Sequence, residues 1–294
     1  MVLQIPGSIT ASKVTSFKEC GLAFRLSVID KIPQPPTVWT IRGALAHSVL
    51  ERLYFYFDPE DRTRSAAMKL VEEVWAEPCT NTLIAELRDV PIPQGAYESL
   101  LDDTKSLVLK DFEAEDPTAV EVLATELKLE TKLGDTVLRG VIDRLDRNPD
   151  GTLTVTDYKT GKMPVQDQEN ERLTGVYFYA LLCEQVLGER PTRVQLIYLK
   201  DATRIVSVPT EQVLRGLTSK TKAIWKAVCN ACEREDFRPR PSRLCKFCCY
   251  QELCPAQGGS LSLLDAFRNS HRKSNSDSRT SNDLAWDGTQ TYAI

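Results

Sequence analysis

Two acids and a lysine lie at the ends of neighbouring β-like runs. Asp157-Tyr158-Lys159 closes Leu153-Thr154-Val155-Thr156, and Gly140-Val141-Ile142-Asp143 ends a second acidic strand. Carboxylates and a lysine so placed suit metal-assisted phosphodiester cleavage. The acids hold a divalent cation, and the lysine stabilises charge developing on the phosphate. His47, upstream, adds an imidazole nitrogen, and that mixed donor set fits Mg2+ or Mn2+ with waters in the open positions. An isolated Asp-x-Lys is more often a solvated strand face, and a helical histidine beside Glu51 can be satisfied by that neighbour. The second acidic strand and the hairpin joining the two turn the balance toward a metal site.

A second set is made of thiols. Cys229, Cys232, Cys245, Cys248, Cys249 and Cys254 fall within 26 residues, while Cys20, Cys79 and Cys183 are scattered. Cys245-x2-Cys248-x5-Cys254-Pro255 offers three thiolates, and a tetrahedral site needs a fourth. Cys229-x2-Cys232 with Cys245-x2-Cys248 fits structural zinc, which takes ligand pairs close in sequence. Cys20 with Cys245, Cys248 and Cys254 fits an iron–sulfur cluster, which often closes with Cys-Pro and tolerates a remote ligand. Buried free cysteines are the plain alternative, above all for Cys229 and Cys232 on one helix face. Two further candidates would touch a phosphate backbone. Tyr179 lies in an aromatic run that spacing alone assigns to a helix core. Arg240 and Arg243 lie in Arg238-Pro239-Arg240-Pro241-Ser242-Arg243, where alternating prolines hold the chain extended along a strand.

The elements that must position these groups follow from periodicity. Helices are expected over 10–27, 41–56, 64–76, 94–113, 171–187 and 210–235, each with an apolar stripe. Strands are expected over 120–132, 136–146, 152–159, 192–199 and 203–208. Asn148-Pro149-Asp150-Gly151 reads as a tight hairpin with glycine at the left-handed bulge position. That loop geometry sets Asp143 directly opposite Asp157, at roughly 4.5–5.5 Å between Cβ atoms. Like charges so close call for a cation between them, and Lys159 shares their face. The class is therefore α/β.

The 294 residues can bury a sizeable core. Nine cysteines without a signal-peptide pattern argue against a disulfide framework and for an intracellular protein with no membrane segment. The net charge of −4 announces no nucleic-acid binder, yet residues 212–246 hold nine Lys/Arg against three Asp/Glu. After 258 the composition turns polar, so 1–258 is read as the folded domain and 259–294 as a disordered tail.

Together these segments resemble the RecB-like branch of the PD-(D/E)xK nucleases, the group that includes the CRISPR-associated iron–sulfur exonucleases. The likeness runs over about residues 8–257. Its parts, in family order, are Phe17-Lys18-Glu19-Cys20, then Gly43 to Glu51 around His47, then Gly140 to Arg144, then Asp157 to Gly161, and finally Arg240 to Pro255. The resemblance implies a restriction-endonuclease-like core, a central mixed sheet flanked by helices. It implies metal ligation by His47, Asp143, Asp157 and the Tyr158 carbonyl, with Lys159 catalytic. It also implies a 4Fe–4S cluster on Cys20, Cys245, Cys248 and Cys254, joining the N- and C-terminal segments.

One departure stands out. Where the family often has Gln-x3-Tyr, Tyr179 fits but Gly175 replaces the glutamine. The expected activity is a metal-dependent exonuclease acting on single-stranded DNA ends, in repair, recombination, or CRISPR or phage DNA processing. The alternative is a non-catalytic iron–sulfur or zinc module that binds nucleic acid. The chain has no Gly-x4-Gly-Lys-Ser/Thr loop, so a helicase or other DNA-processing protein is the expected partner for any unwinding.

Overall fold

A computed structural model describes residues 3–80, 84, 95–96, 98–163 and 169–266. The chain divides into two compact units. The first comprises Met1–Glu19 and Pro35–Phe237, and the second Cys20–Gln34 and Arg238–Ile294. Among the described residues no helix is long and apolar enough to cross a membrane.

The first unit is built on a mixed five-stranded sheet in the order β1-β2-β3-β4-β5. Its strands are β1 (Glu121–Leu133), β2 (Thr136–Arg147), β3 (Leu153–Lys159), β4 (Arg193–Tyr198) and β5 (Thr203–Ser207). All neighbours run antiparallel except β3 and β4, which are parallel. A parallel pair needs a crossover, and a helix, Glu169–Val186, supplies it. Helices cover both faces, so β3 and β4 are buried along almost their whole length. Leu153, Val155, Val194 and Leu196 pack with residues of Glu169–Val186 and of Glu211–Arg234. Tyr158, Ile197 and Leu199 pack with Val38–Tyr56, Arg64–Trp75 and Leu100–Ala114. In chain order the first unit has α1 (Ala11–Glu19), α3 (Val38–Tyr56), α4 (Arg64–Trp75), α5 (Leu100–Ala114), α6 (Glu169–Val186) and α7 (Glu211–Arg234), and α2 (Gly21–Phe24) lies in the second unit.

Most expected strands and helices match these ranges to within a few residues, and two helices depart from them. The helix expected over 10–27 ends at Glu19, because Cys20 is extended (φ −159°, ψ 113°). In the second unit that break frees the Leu22 amide to donate to the Arg238 carbonyl (3.2 Å). A pattern of apolar spacing carries no sign of a bond made by a residue so distant in sequence. Helix α3 starts earlier than residue 41, because Thr37 and Thr40 cap each other reciprocally. The helix expected over 94–113 begins only at Leu100, since residues 95, 96, 98 and 99 form turns; residue 94, Tyr97 and the tail from 267 lie outside the described residues. Packing in the second unit continues past 258: Leu264 joins Leu22, Leu26, Ile32, Tyr250 and Leu253 in one apolar cluster.

The hairpin turn forms as its sequence dictates. Gly151 has φ +84°, and its amide donates to Asn148 O (2.8 Å). The register runs Arg147↔Leu153, Asp146↔Thr154, Leu145↔Val155, Arg144↔Thr156.

Next to this hairpin the first unit encloses a charged network. Arg144 is its centre and is only 1% exposed. Its guanidinium donates to Glu115 Oε1 (2.6 Å) and Asp146 Oδ1 (2.8 Å) and to the Tyr158 hydroxyl. The Tyr54 ring lies 4.1 Å from its centre. The Tyr54 hydroxyl donates to Asp111 Oδ2 (2.8 Å). Burial, then the Glu115 charge, raises the Asp111 carboxyl to about 7. A carboxyl raised on folding stabilises the fold below its unfolded value and loses that contribution as pH climbs through the folded one. Asp111→Asn should therefore raise the melting temperature at pH 8 by clearly more than it does at pH 5. Equal wild-type and variant shifts between those pH values would refute this.

Candidate metal centre

Four elements of the first unit deliver the site. Helix α3 supplies His47, β1 Glu126, β2 Asp143, and β3 Asp157 and Lys159. His47 Nδ1 lies 3.5 Å from Asp143 Oδ2. One ligand atom from each of His47, Glu126 and Asp143 lies within 4.8 Å of the others. The Tyr158 amide donates to Asp143 Oδ2 (2.7 Å). The Lys159 ammonium is ion-paired with Asp157 Oδ2. The His47 ring meets the Tyr158 ring edge-on, with centroids 6.0 Å apart.

Two irregularities put these groups together. Ile142 and Leu145 pack into the same core, although strict alternation would send them to opposite faces. The face therefore changes across Asp143-Arg144. Opposite them Glu126 has φ +46°, an uncommon backbone state for a side chain other than glycine, and one often found at functional sites. The β2–β3 ladder ends at Arg144↔Thr156, one pair short of the expected Asp143–Asp157 pairing. The Asp143 carboxylate takes the Tyr158 amide instead. Beyond that point β3 keeps only its parallel partner β4, pairing through Lys159↔Tyr198.

The electrostatics are those of crowded acids. Burial, then the Asp143 and Glu51 charges, raises the Glu126 carboxyl to about 7. Burial, then the Asp157 charge, raises Asp143, and His47, the Tyr158 amide and Lys159 restrain the rise. Desolvation pulls the Lys159 ammonium down, but Asp157 and Asp143 outweigh it and raise it. Carboxylates that repel one another beside an imidazole form a donor set that a divalent cation relieves. The residues present therefore fit the expected metal.

Glu126 is the ligand candidate that periodicity hid. It alternates with Leu127 and Leu129 as a solvated residue would. The clue was the loop Gly134-Asp135: a two-residue hairpin sets Leu133 opposite Thr136. Counting back along both strands then brings Glu126 opposite Asp143, between the pairs Thr125↔Arg144 and Leu127↔Ile142. Asp157 lies outside the three-residue set and is held by Lys159. Tyr158 meets the site through its amide and its ring.

Tyr179 of α6 is within electrostatic reach of the acids: burial, then Asp157, Asp143 and Glu126, raises its hydroxyl. A glycine permits that approach. A Cβ at Gly140 would lie 2.6 Å from Leu182 Cδ1 and 3.0 Å from Tyr179 Cε1. One turn before Tyr179, a Cβ at Gly175 would meet nothing within 4 Å.

The second unit holds Cys20, Cys245, Cys248 and Cys254. Cys20, Cys248 and Cys254 pack against the same apolar cluster, and burial raises the Cys248 thiol, with the charges of Cys20, Cys254 and Cys245 adding to the rise. The Arg240 amide donates to Cys20 Sγ (3.4 Å) and the Ser242 amide to Cys245 Sγ (3.2 Å). Arg243 opens the turn Arg243–Phe247. Cys229 and Cys232 belong instead to α7 of the first unit, where Cys232 is fully buried.

The Gene 69 protein of Mycobacterium phage D29 is 23% identical over 270 residues, 84% of this chain and 96% of that protein. Among solved structures, the crystal structure of SSO0001 gives a TM-score of 0.39 at 15% identity, covering 87% of this chain and 89% of that one. Protein VC1899 from Vibrio cholerae gives 0.20 at 12% identity, covering 75% and 63%. A model of the PD-(D/E)XK nuclease superfamily matches residues 8–255, and the chain belongs to that superfamily.

Proposed function

We propose that the protein is a metal-dependent DNA exonuclease of the RecB-like, iron–sulfur branch, acting on single-stranded ends. The observation that carries this reading is the convergence of His47, Glu126 and Asp143 beside the Asp157–Lys159 pair. His47, Glu126, Asp143 and Asp157, with the Tyr158 carbonyl, would hold Mg2+ or Mn2+. When bound, that ion lowers the pKa of a water and offsets phosphate charge. Lys159 orients the attacking water or donates to a phosphate oxygen as charge builds there. Asp157 holds the ammonium in place and keeps it protonated. Tyr158 fixes the Asp143 carboxylate through its amide, and Tyr179 offers a hydroxyl to the DNA backbone. Full-length protein should degrade end-labelled single strands with Mg2+ or Mn2+. Salt-dependent binding without cleavage under either ion would leave a non-catalytic binding module.

For the second unit we infer a 4Fe–4S cluster on Cys20, Cys245, Cys248 and Cys254. Support comes from Cys20, Cys248 and Cys254 lying against one apolar cluster, from the effect of the other three thiols on Cys248, and from the backbone amides aimed at two of the sulfurs, since such donors stabilise thiolate charge. The cluster would tie the N-terminal Cys20–Gln34 to the C-terminal residues. Cys20→Ala is expected to abolish iron binding and visible absorbance after anaerobic purification, and to make residues 20–34 sensitive to protease. Unchanged iron content, or one zinc per chain in the wild type, would refute the assignment.

A further inference from the structure

We propose that the turn Arg243–Phe247 of the second unit is a base-stacking platform for single-stranded DNA, with Phe247 as the stacking residue. This inference rests on the nuclease reading and adds a contact made apart from the chemistry. Phe247 is 76% exposed, the highest value for a large apolar side chain among the described residues, and Leu244 in the same turn is 61% exposed. An exposed phenylalanine on a loose loop would say little. Here the backbone is braced. The Ser242 side chain caps the turn and accepts from the Leu244 amide (3.2 Å). The Cys245 amide donates to Ser242 O, and the Cys248 amide to Cys245 O (both 3.1 Å). The ring is thus held out on a turn fixed at Cys245 and at Cys248.

The surrounding charge selects the occupant. From Arg238 to Gln251 there are four bases, Arg238, Arg240, Arg243 and Lys246, and no acid. Lys246 Nζ sits 4.8 Å from the Phe247 ring centroid. An exposed aromatic ring with a lysine beside it, on a segment that carries bases and no acid, matches a base with its phosphate, which is how single strands are held without sequence preference. A duplex keeps its bases stacked on one another, so it offers phosphate but no free face. A protein partner is the poorer match, because interface cores are depleted in lysine.

The test uses full-length, anaerobically purified protein in a Lys159→Ala background, so that the strand survives. Binding is read by anisotropy of labelled oligodeoxythymidylate, an abasic strand of the same length, and a duplex. Phe247→Ala should weaken oligodeoxythymidylate binding by about ten-fold, within the range expected for one lost stack. Abasic-strand and duplex binding should change by less than about two-fold. Phe247→Trp should bind like the parent, and this second variant guards against a folding artefact. Equal binding of oligodeoxythymidylate by parent and Phe247→Ala overturns the proposal. So does an equal loss on all three probes, or self-association that disappears with Phe247. If the wild type cleaves ends while Phe247→Ala binds normally, only this inference fails. If the stacking signature holds while the wild type, with Lys159 intact, cleaves nothing under Mg2+ or Mn2+, only the nuclease reading fails.

Discussion

Lys159→Ala should leave a folded protein that still binds DNA and divalent metal but cleaves at least about 10²–10³-fold more slowly. The magnitude follows from the group's position. Its ammonium is ion-paired with Asp157 and kept charged by Asp157 and Asp143, so it is a fixed cation beside the metal-ligand candidates and needs no reorganisation to meet developing negative charge. Metal binding should survive, because His47, Glu126 and Asp143 are untouched and one competing positive charge is gone. A Mn2+-induced rise in melting temperature as large as wild type, or larger, would show this. Lys159→Arg should not restore the rate, since the planar fork cannot occupy the place of a compact point charge. Undiminished cleavage by a metal-loaded Lys159→Ala protein would sink the assignment. Lost metal binding along with lost cleavage would make Lys159 a structural counter-ion rather than a catalytic residue.

What could be read from sequence was whatever a short stretch decides for itself. Asn148-Pro149-Asp150-Gly151 fixes its own turn, and the turn fixes the register of β2 against β3. Counting from the turn carries that register one pair too far, because the pattern does not show β3 losing β2 after Thr156 while it stays paired with β4 through Lys159. Glu126 was within reach through the Gly134-Asp135 loop, yet its left-handed backbone is a strained local state that no propensity announces. The break at Cys20 depends on Arg238, more than two hundred residues away. Arg144 was the least legible residue. It follows Asp143 in a strand and looks like a solvated end, and only the packing of α3 and α5 shows it to be buried.

That burial makes Arg144→Met the substitution with the largest expected cost in stability, about 3–5 kcal/mol. Methionine fills much of the volume, so the loss is electrostatic rather than a cavity. It strands Glu115 and Asp146, whose carboxylates pair with the guanidinium at 2.6 and 2.8 Å, and it removes the donor to the Tyr158 hydroxyl. Both acids can escape by taking up protons, and the cost of doing so is about 1.4 kcal/mol for each pH unit above their ordinary values. The deficit should therefore depend on pH. Carboxyls raised on folding lose stability as pH rises, so the variant should fall furthest behind wild type at pH 8 and least at pH 5. Arg144→Met/Asp146→Asn should recover part of the loss, because one stranded charge has gone. Cleavage by the folded fraction should fall as well, since the Tyr158 ring and amide support His47 and Asp143 from the same residue. Denaturation curves at the two pH values decide the matter. A variant as stable as wild type at pH 8 would mean that the network contributes nothing net, and that Tyr158 is held by apolar packing alone.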